Sequence, residues 1–271
     1  MSEKTIICKA TADTMMRFGV LLLALWGFGF YFLYDAQIGY QQKNEAYFSY
    51  QAFAKGGEKA PEMSEDQWKQ KNTPTTPLIE ASVVDGVLCV VKDKEGKSTL
   101  YPLPTECQSV NSMPEEFLHY QVMRKGWNDA WMDYSARMRF ELKPADPHDA
   151  ASIAEQWIAS GVTFALSFIL LFFTVRTAKR QMSIAGTKLT VAGQQFDIAD
   201  IERIDMRQWG AGYKGSAIFT VKGKKVKADG MTYGGFAKKD DQPAERFMQA
   251  VLAQYQGELI EYAKDESATK A

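Results

Sequence analysis

Histidine and cysteine are scarce in this sequence, at 2 and 3 among 271 residues. The histidines, His119 and His148, fall on different predicted helices, and no H-x-x-x-H, H-E-x-x-H or paired C-x-x-C spacing occurs. A zinc site of the usual kind groups its ligands in that way, so no metal centre is expected. The G-x-S-x-G elbow and the Walker phosphate loop are also missing, which removes common signatures of hydrolases and nucleotide enzymes. An excess of one charge is lacking too, since 32 Lys and Arg stand against 33 Asp and Glu. That balance argues against a basic nucleic-acid binder and against a disordered chain. These absences point away from an enzyme, and no cofactor is expected.

Charge of either sign is missing from two long stretches. Phe18 to Tyr34 holds 17 uncharged residues between Arg17 and Asp35, and Gln156 to Val175 holds 20 between Glu155 and Arg176. With Thr14 to Met16 added and Arg17 free to snorkel, the first reaches the roughly 20 residues that cross a hydrocarbon core. The second contains SGVTFALSFILLFF, apolar on every helical face. Both are expected to be transmembrane helices, over 14–35 and 156–175; a buried core helix is the alternative for any such run. A cleaved signal peptide has a shorter apolar core followed by a small-x-small site, and Tyr34-Asp35-Ala36 is a poor one. The first run is therefore expected to remain as an anchor. Neither uncharged run, Phe18–Tyr34 or Gln156–Val175, contains a carboxylate, which would mark an ion or proton path. Gly27 and Gly29 in the first, with Ser160, Gly161 and Ser167 in the second, are small enough for close helix contact.

Orientation follows from the flanking charges. Residues 35–155 carry 13 basic and 19 acidic side chains, whereas residues 176–271 carry 16 basic and 12 acidic. Arg176, Lys179, Arg180 and Lys188 follow the second span, while Lys143 is alone in the fifteen residues before it. The positive-inside rule then places both termini in the cytoplasm and the middle outside, as a hairpin in the inner (cytoplasmic) membrane. The expected division is a cytoplasmic N-terminus 1–13, an outer α/β domain 36–155, a cytoplasmic domain 176–262 and a disordered tail 263–271. On this topology Cys8 is a reduced thiol. Cys89 and Cys107 lie outside, where an oxidising compartment permits a disulfide; two buried free thiols are the other reading.

The first helix is expected to continue past the membrane, from Asp35 to Ala54, and to stop at Gly56-Gly57. Pro61, Pro74 and Pro77 mark a linker, within which Ser64 and Gln67 have the form of a capping box. Strand signals follow over Leu78–Val84, Val87–Lys92 and Lys97–Leu103, joined by Asp85-Gly86 and Glu95-Gly96, which reads as a small antiparallel meander. From Pro114 a helical pattern places Phe117, Tyr120, Arg124, Trp127, Trp131, Tyr134 and Met138 on one face. An aromatic stripe at that spacing is a core face first; Trp127 and Trp131 are also candidates for an outer aromatic surface that takes a ligand. Asp146 before Pro147 predicts the start of one helix of about 34 residues through the second span.

Beyond the second span, short alternating strands are predicted over Gln181–Ile184, Lys188–Val191, Gln195–Ile198, Ile201–Asp205, Ser216–Val221 and Lys224–Ala228. An amphipathic helix from Pro243 to about Tyr262 closes the pattern, with Phe247, Met248, Val251, Leu252, Tyr255 and Leu259 on its apolar face. The segments LTVAGQQFDIADIERIDM, WGAGYKGSAIFTVKGKKVKADGMTYGG and PAERFMQAVLAQY give this region its character. In their order, and in Ile201, Ile204 and Trp209, it resembles the bacterial pleckstrin-homology-like (PH-like) domains. The resemblance covers residues 181–262 and implies a β-barrel or curved sheet capped by one helix, with a binding or assembly role and no catalysis. Inositol-lipid-binding members of that fold carry basic residues in the first hairpin loop, and Ala192-Gly193-Gln194-Gln195 has none.

Two further motifs invite a functional reading. Gly210 to Gly215 satisfies G-x-G-x-x-G, but a dinucleotide site needs a helix to follow and Ser216–Val221 reads as a strand. Lys222, Lys224, Lys225 and Lys227 form a basic hairpin suited to anionic lipid headgroups, or to a solvated strand edge; nearby Asp229, Asp240 and Asp241 weigh against nucleic acid. Glu115, Glu116 and His119 form an imaginable acid–base group, although helix capping accounts for the two glutamates. The expected fold is an α+β membrane protein: a transmembrane helical hairpin, an outer α/β domain and a C-terminal PH-like module. The expected function is non-enzymatic binding, as a scaffold or accessory subunit of an envelope assembly. Its partners would be the lipid bilayer and other membrane or envelope proteins, or a second copy of the chain. The alternative is a transmembrane sensor whose outer domain binds a small ligand and signals through the long helices.

Overall fold

The computed structural model describes residues 5–72, 79–94, 97–109, 117, 119–210, 214–236 and 242–262. The expected tail 263–271, Pro74, Pro77, Glu95-Gly96, Pro114, Glu115, Glu116, Asp240 and Asp241 lie outside these residues. The chain forms two compact units, one from the segment up to Leu25 with that from Ala165 on, the other from Trp26 to Phe164.

The first unit begins with a strand absent from the sequence reading. β1 (Ile6–Lys9) pairs antiparallel with β5 (Gln181–Ala185), from Ile6 opposite Ile184 to Lys9 opposite Gln181. Its alternation buries Cys8 completely. Thr11 then caps α1 (Ala12–Tyr34), its Oγ1 accepting from the Thr14 N–H. α5 (Ala150–Lys179) leads back into β5. β5 continues through β6 (Lys188–Val191) to β7 (Gln194–Asp197), giving the order β1-β5-β6-β7. A second sheet has the order β10-β9-β8-β11, built from β8 (Ile201–Asp205), β9 (Ser216–Val221), β10 (Lys224–Asp229) and β11 (Glu258–Ile260). Two-residue turns with both residues at positive φ, Ala192-Gly193 and Lys222-Gly223, join β6 to β7 and β9 to β10. Such turns match the twist of the strands they join.

These sheets remain open, so the expected barrel does not form among the described residues. A 3₁₀ turn over Ile198–Asp200, capped by the Asp197 side chain, carries the chain from one sheet to the next instead of extending the ladder. α6 (Pro243–Leu252) covers β1 and β5, and its Phe247, Met248 and Val251 join Met182, Leu189, Ile204 and Phe219 in one core. The helix is shorter than expected. After Leu252 the chain turns, and β11 pairs in parallel with β8, where Glu258 lies opposite Arg203 at 2.9 Å.

In the second unit α1 continues through a π-helical turn (Asp35–Gly39) into α2 (Tyr40–Lys59) and a 3₁₀ turn (Ala60–Glu62). Gly56 and Gly57 do not stop it. They are packing gaps: a Cβ on Gly57 would lie 2.6 Å from Trp127 Cβ, and one on Gly56 3.4 Å from Trp68 Cη2. α3 (Glu65–Lys71) has the expected capping box, Ser64 and Gln67 bonding each other's backbone N–H. The meander forms as expected from β2 (Ser82–Val84), β3 (Val87–Lys94) and β4 (Lys97–Pro102), with Asp85 and Gly86 at φ 50° and 78° between the first two.

α4 (Tyr120–Met138), interrupted at Gly126, lies against α2. Phe53, Trp68, Phe117, Tyr120, Met123, Trp131 and Tyr134 form their shared core. Its buried polar tips are satisfied, with Tyr120 donating to the Met63 carbonyl and Trp131 Nε1 to that of Leu142 at 2.9 Å. The start of α5 corrects the sequence reading: Asp149, not Asp146, accepts from the Ser152 N–H, and the helix begins at Ala150. Buried Asn44 ties down the chain just before the helix by bonding both the N–H and the carbonyl of His148, at 2.7 and 2.9 Å.

Among the described residues two helices are long and apolar enough to cross a membrane, and only 6% and 11% of their most apolar stretches is buried. A core helix would be mostly covered. Instead Leu23, Phe28, Phe30, Ile158, Phe168 and Phe172 each expose over half of their surface. The two touch where Ser160 Oγ donates to the Gly29 carbonyl at 3.1 Å, with the Phe164 ring laid over Gly29. Gly27 and Gly161, by contrast, face open space.

Candidate functional site

The second unit contains a cleft of about 660 Å³ between α2, α3 and the meander. α2 presents two rows to it at a four-residue interval, Tyr47, Gln51, Lys55 and Lys59 beside Phe48, Ala52 and Gly56. The opposite wall comes from Val90 and Tyr101, paired across β3 and β4, with Val91 and Ile79. Trp68, Met63 and Phe117 line it as well, and the absence of a Cβ at Gly56 lets Trp68 and Phe117 approach the helix. The walls are thus largely apolar and aromatic, whereas Lys55, Lys59, Lys71 and Glu80 are exposed at the rim.

A separate polar cluster lies where α2 meets α4 and the 3₁₀ turn Thr105–Cys107. The Ser49 hydroxyl is 3.5 Å from Cys107 Sγ, and that thiol points to the Glu45 carbonyl at 3.6 Å. Burial pushes the Cys107 thiol up to about 12, with the Ser49 hydrogen bond opposing. The Glu45 carboxyl is pushed up to about 7, chiefly by burial and further by Glu106. Its Oε1 is buried with no hydrogen-bond partner among the described residues. Burial also raises Tyr134, which feels the Glu45 charge. A thiol held neutral in this way is a poor nucleophile. The group with a protonation change near neutral pH is the carboxyl of Glu45.

Sequence-predicted residues are dispersed relative to these features. Trp131 is 2% exposed inside the α2–α4 core, and Trp127 is half-buried against Gly57, so the pair forms no outer aromatic surface. Cys89 and Cys107 are free and buried, the second of the two readings. Cys8 is also free, donates to the Pro243 carbonyl at 3.2 Å, and is pushed up to about 11 by burial. Lys222, Lys224, Lys225 and Lys227 are all exposed, the first in the turn before β10 and the others on that edge strand, and Lys222 pairs with Asp200 at 3.1 Å. Gly215 leads directly into β9, so no helix receives a pyrophosphate there; 211–213 lie outside the described residues. His119 precedes α4, while its supposed partners Glu115 and Glu116 lie outside the described residues.

The cleft and the Glu45 cluster were missed because each draws on elements far apart in sequence. The four-residue interval of Tyr47, Gln51, Lys55 and Lys59 was the one local signal. Searches of protein-family models, curated proteins and solved structures find no match for this chain.

Proposed function

We propose that this chain is a non-catalytic, integral inner-membrane protein that links binding partners across the bilayer, as a scaffold or accessory subunit of an envelope assembly. The observation that carries the reading is the pairing of β1 with β5. β1 leads into the first apolar helix and β5 follows the second, so both helices are rooted in the same folded unit. If both cross the bilayer, that unit and both ends of the chain lie on one face. Arg176, Lys179 and Arg180 beside it favour the cytoplasmic face. The same pairing argues against cleavage of the first helix, which would remove Cys8 from a completed core.

A PH-like character for the C-terminal unit is part of the proposal. Buried Ile201 and Ile204, Trp209 packed against Phe236 at 5.1 Å, and the closing amphipathic α6 support it. Sensing is the second reading, favoured because the helical stretch from Ala12 to Glu62 is unbroken and its far end forms one wall of the cleft. Topology is tested by labelling intact cells with a membrane-impermeant maleimide. The native thiols are buried, so an added cysteine reports alone. Val83→Cys, at an exposed position, should label in intact cells and Lys225→Cys only after lysis. Equal labelling of both, or the reverse pattern, overturns the reading.

A further inference from the structure

We infer that the cleft between α2, α3 and the meander binds a small amphipathic anion, a carboxylate or phosphate head on an aromatic or single-chain apolar body. The inference goes beyond the linking role above and does not depend on which side of the membrane the unit occupies. Its capacity, about 660 Å³, falls within the roughly 300–1,000 Å³ typical of small-molecule sites. The chemistry of the walls divides in the way such a ligand requires. Phe48, Trp68, Tyr101 and Phe117 supply flat apolar surface, which favours burial of a ring or alkyl chain.

The head group is specified by the rim. Lys55 and Lys59 stand one helical turn apart on the same row of α2, and neither has an ion-pair partner among the described residues. Glu80 adds one negative charge against these two lysines, so the rim formed by the described residues remains basic even without Lys71. This is a local reversal. The segment 35–155 as a whole carries 19 acidic against 13 basic side chains, and the lysines gather where the apolar wall opens. A neutral apolar ligand would leave that charge unused, and a cation would be repelled by it. An anionic head held between Lys55 and Lys59, with its body against the aromatic wall, satisfies both halves of the site.

Such an anion has two sources, a soluble acid or a membrane lipid with one chain, and the test separates them. The full-length protein in phosphatidylcholine nanodiscs is titrated calorimetrically with 1-naphthoate, with neutral 1-naphthalenemethanol, and with lysophosphatidic acid, each against empty nanodiscs. Saturable binding of naphthoate supports a soluble ligand, and binding of lysophosphatidic acid alone supports a lipid. The paired variant Lys55→Glu with Lys59→Glu changes two exposed side chains and should preserve the fold, which its melting curve checks. Its affinity for the anionic probe should fall at least about tenfold while that for the neutral analogue is unchanged. Absence of saturable binding by both anions overturns the inference, as does binding that the charge reversal leaves intact.

Discussion

Glu45 shows how one side chain can link stability to pH. Its carboxyl is driven up to about 7 because burial strips water from it and Glu106 adds a like charge, while Oε1 gains no hydrogen bond among the described residues in return. The native state therefore holds that proton more tightly than the unfolded chain. The resulting stability is complete below about pH 4.5, the ordinary value, and is lost as pH rises through 7. Glu45→Gln should flatten this dependence. Discounting for the partial exposure of the side chain, the variant should exceed the parent by about 1–2 kcal/mol at pH 8 and match it below pH 4.5. Thermal melts in detergent across that range test the prediction; a variant less stable at pH 8 would contradict it. His148 moves in the opposite sense: burial, with Lys43 adding, lowers it, so its neutral form is favoured where it stacks on Tyr40 at 3.6 Å. Its contribution is lost as pH falls below about 6.5.

At the scale of elements, α2 is defined by what it accommodates. Gly57 gives Trp127 the room to lie against the helix, and Gly56 does the same for Trp68 and Phe117. Gly57→Ala would raise intrinsic helix propensity, yet its methyl would press on Trp127 close to that residue's own backbone. Overpacking should win, with a loss of about 1–3 kcal/mol in a chemical or thermal unfolding experiment. Hence the glycine pair was misread as a stop: a gap for a distant tryptophan and a helix terminator look alike in a linear string. Asp146-Pro147 misled similarly, because the true start at Ala150 depends on Asn44, far away in the chain. Elements governed by neighbours were legible. Asp85-Gly86 specifies its own turn, Ser64 and Gln67 cap their own helix, and the alternation of Lys188–Val191 or Ser216–Val221 declares a strand. The cleft was not legible, since its walls meet only after α2, α3 and the meander assemble.

For the whole molecule, the decisive contact is the one between the beginning and the end. Ile6–Lys9 was too short to stand out as a strand, and its partner follows the second apolar helix. Removing residues 1–10 should leave β5 as an unpaired edge, uncover Met182 and Phe247, and take Cys8 from the core. The expected result is at least about tenfold faster hydrogen exchange across residues 181–185, with exchange of the 82–102 meander unchanged. Unaltered protection of β5 would show that β1 is dispensable.

That contact also sets an order of events during synthesis. The first strand leaves the ribosome long before the residues it must join; Cys8 and the Pro243 carbonyl to which it donates are separated by 235 positions. Until translation reaches β5, Ile6–Lys9 has no strand to pair with, and its cover is complete only once α6 follows; closure of so distant a contact is slow. The C-terminal unit therefore matures last, and a nascent chain stalled after its first apolar helix would display an unpaired, oily segment of the sort quality-control proteases recognise.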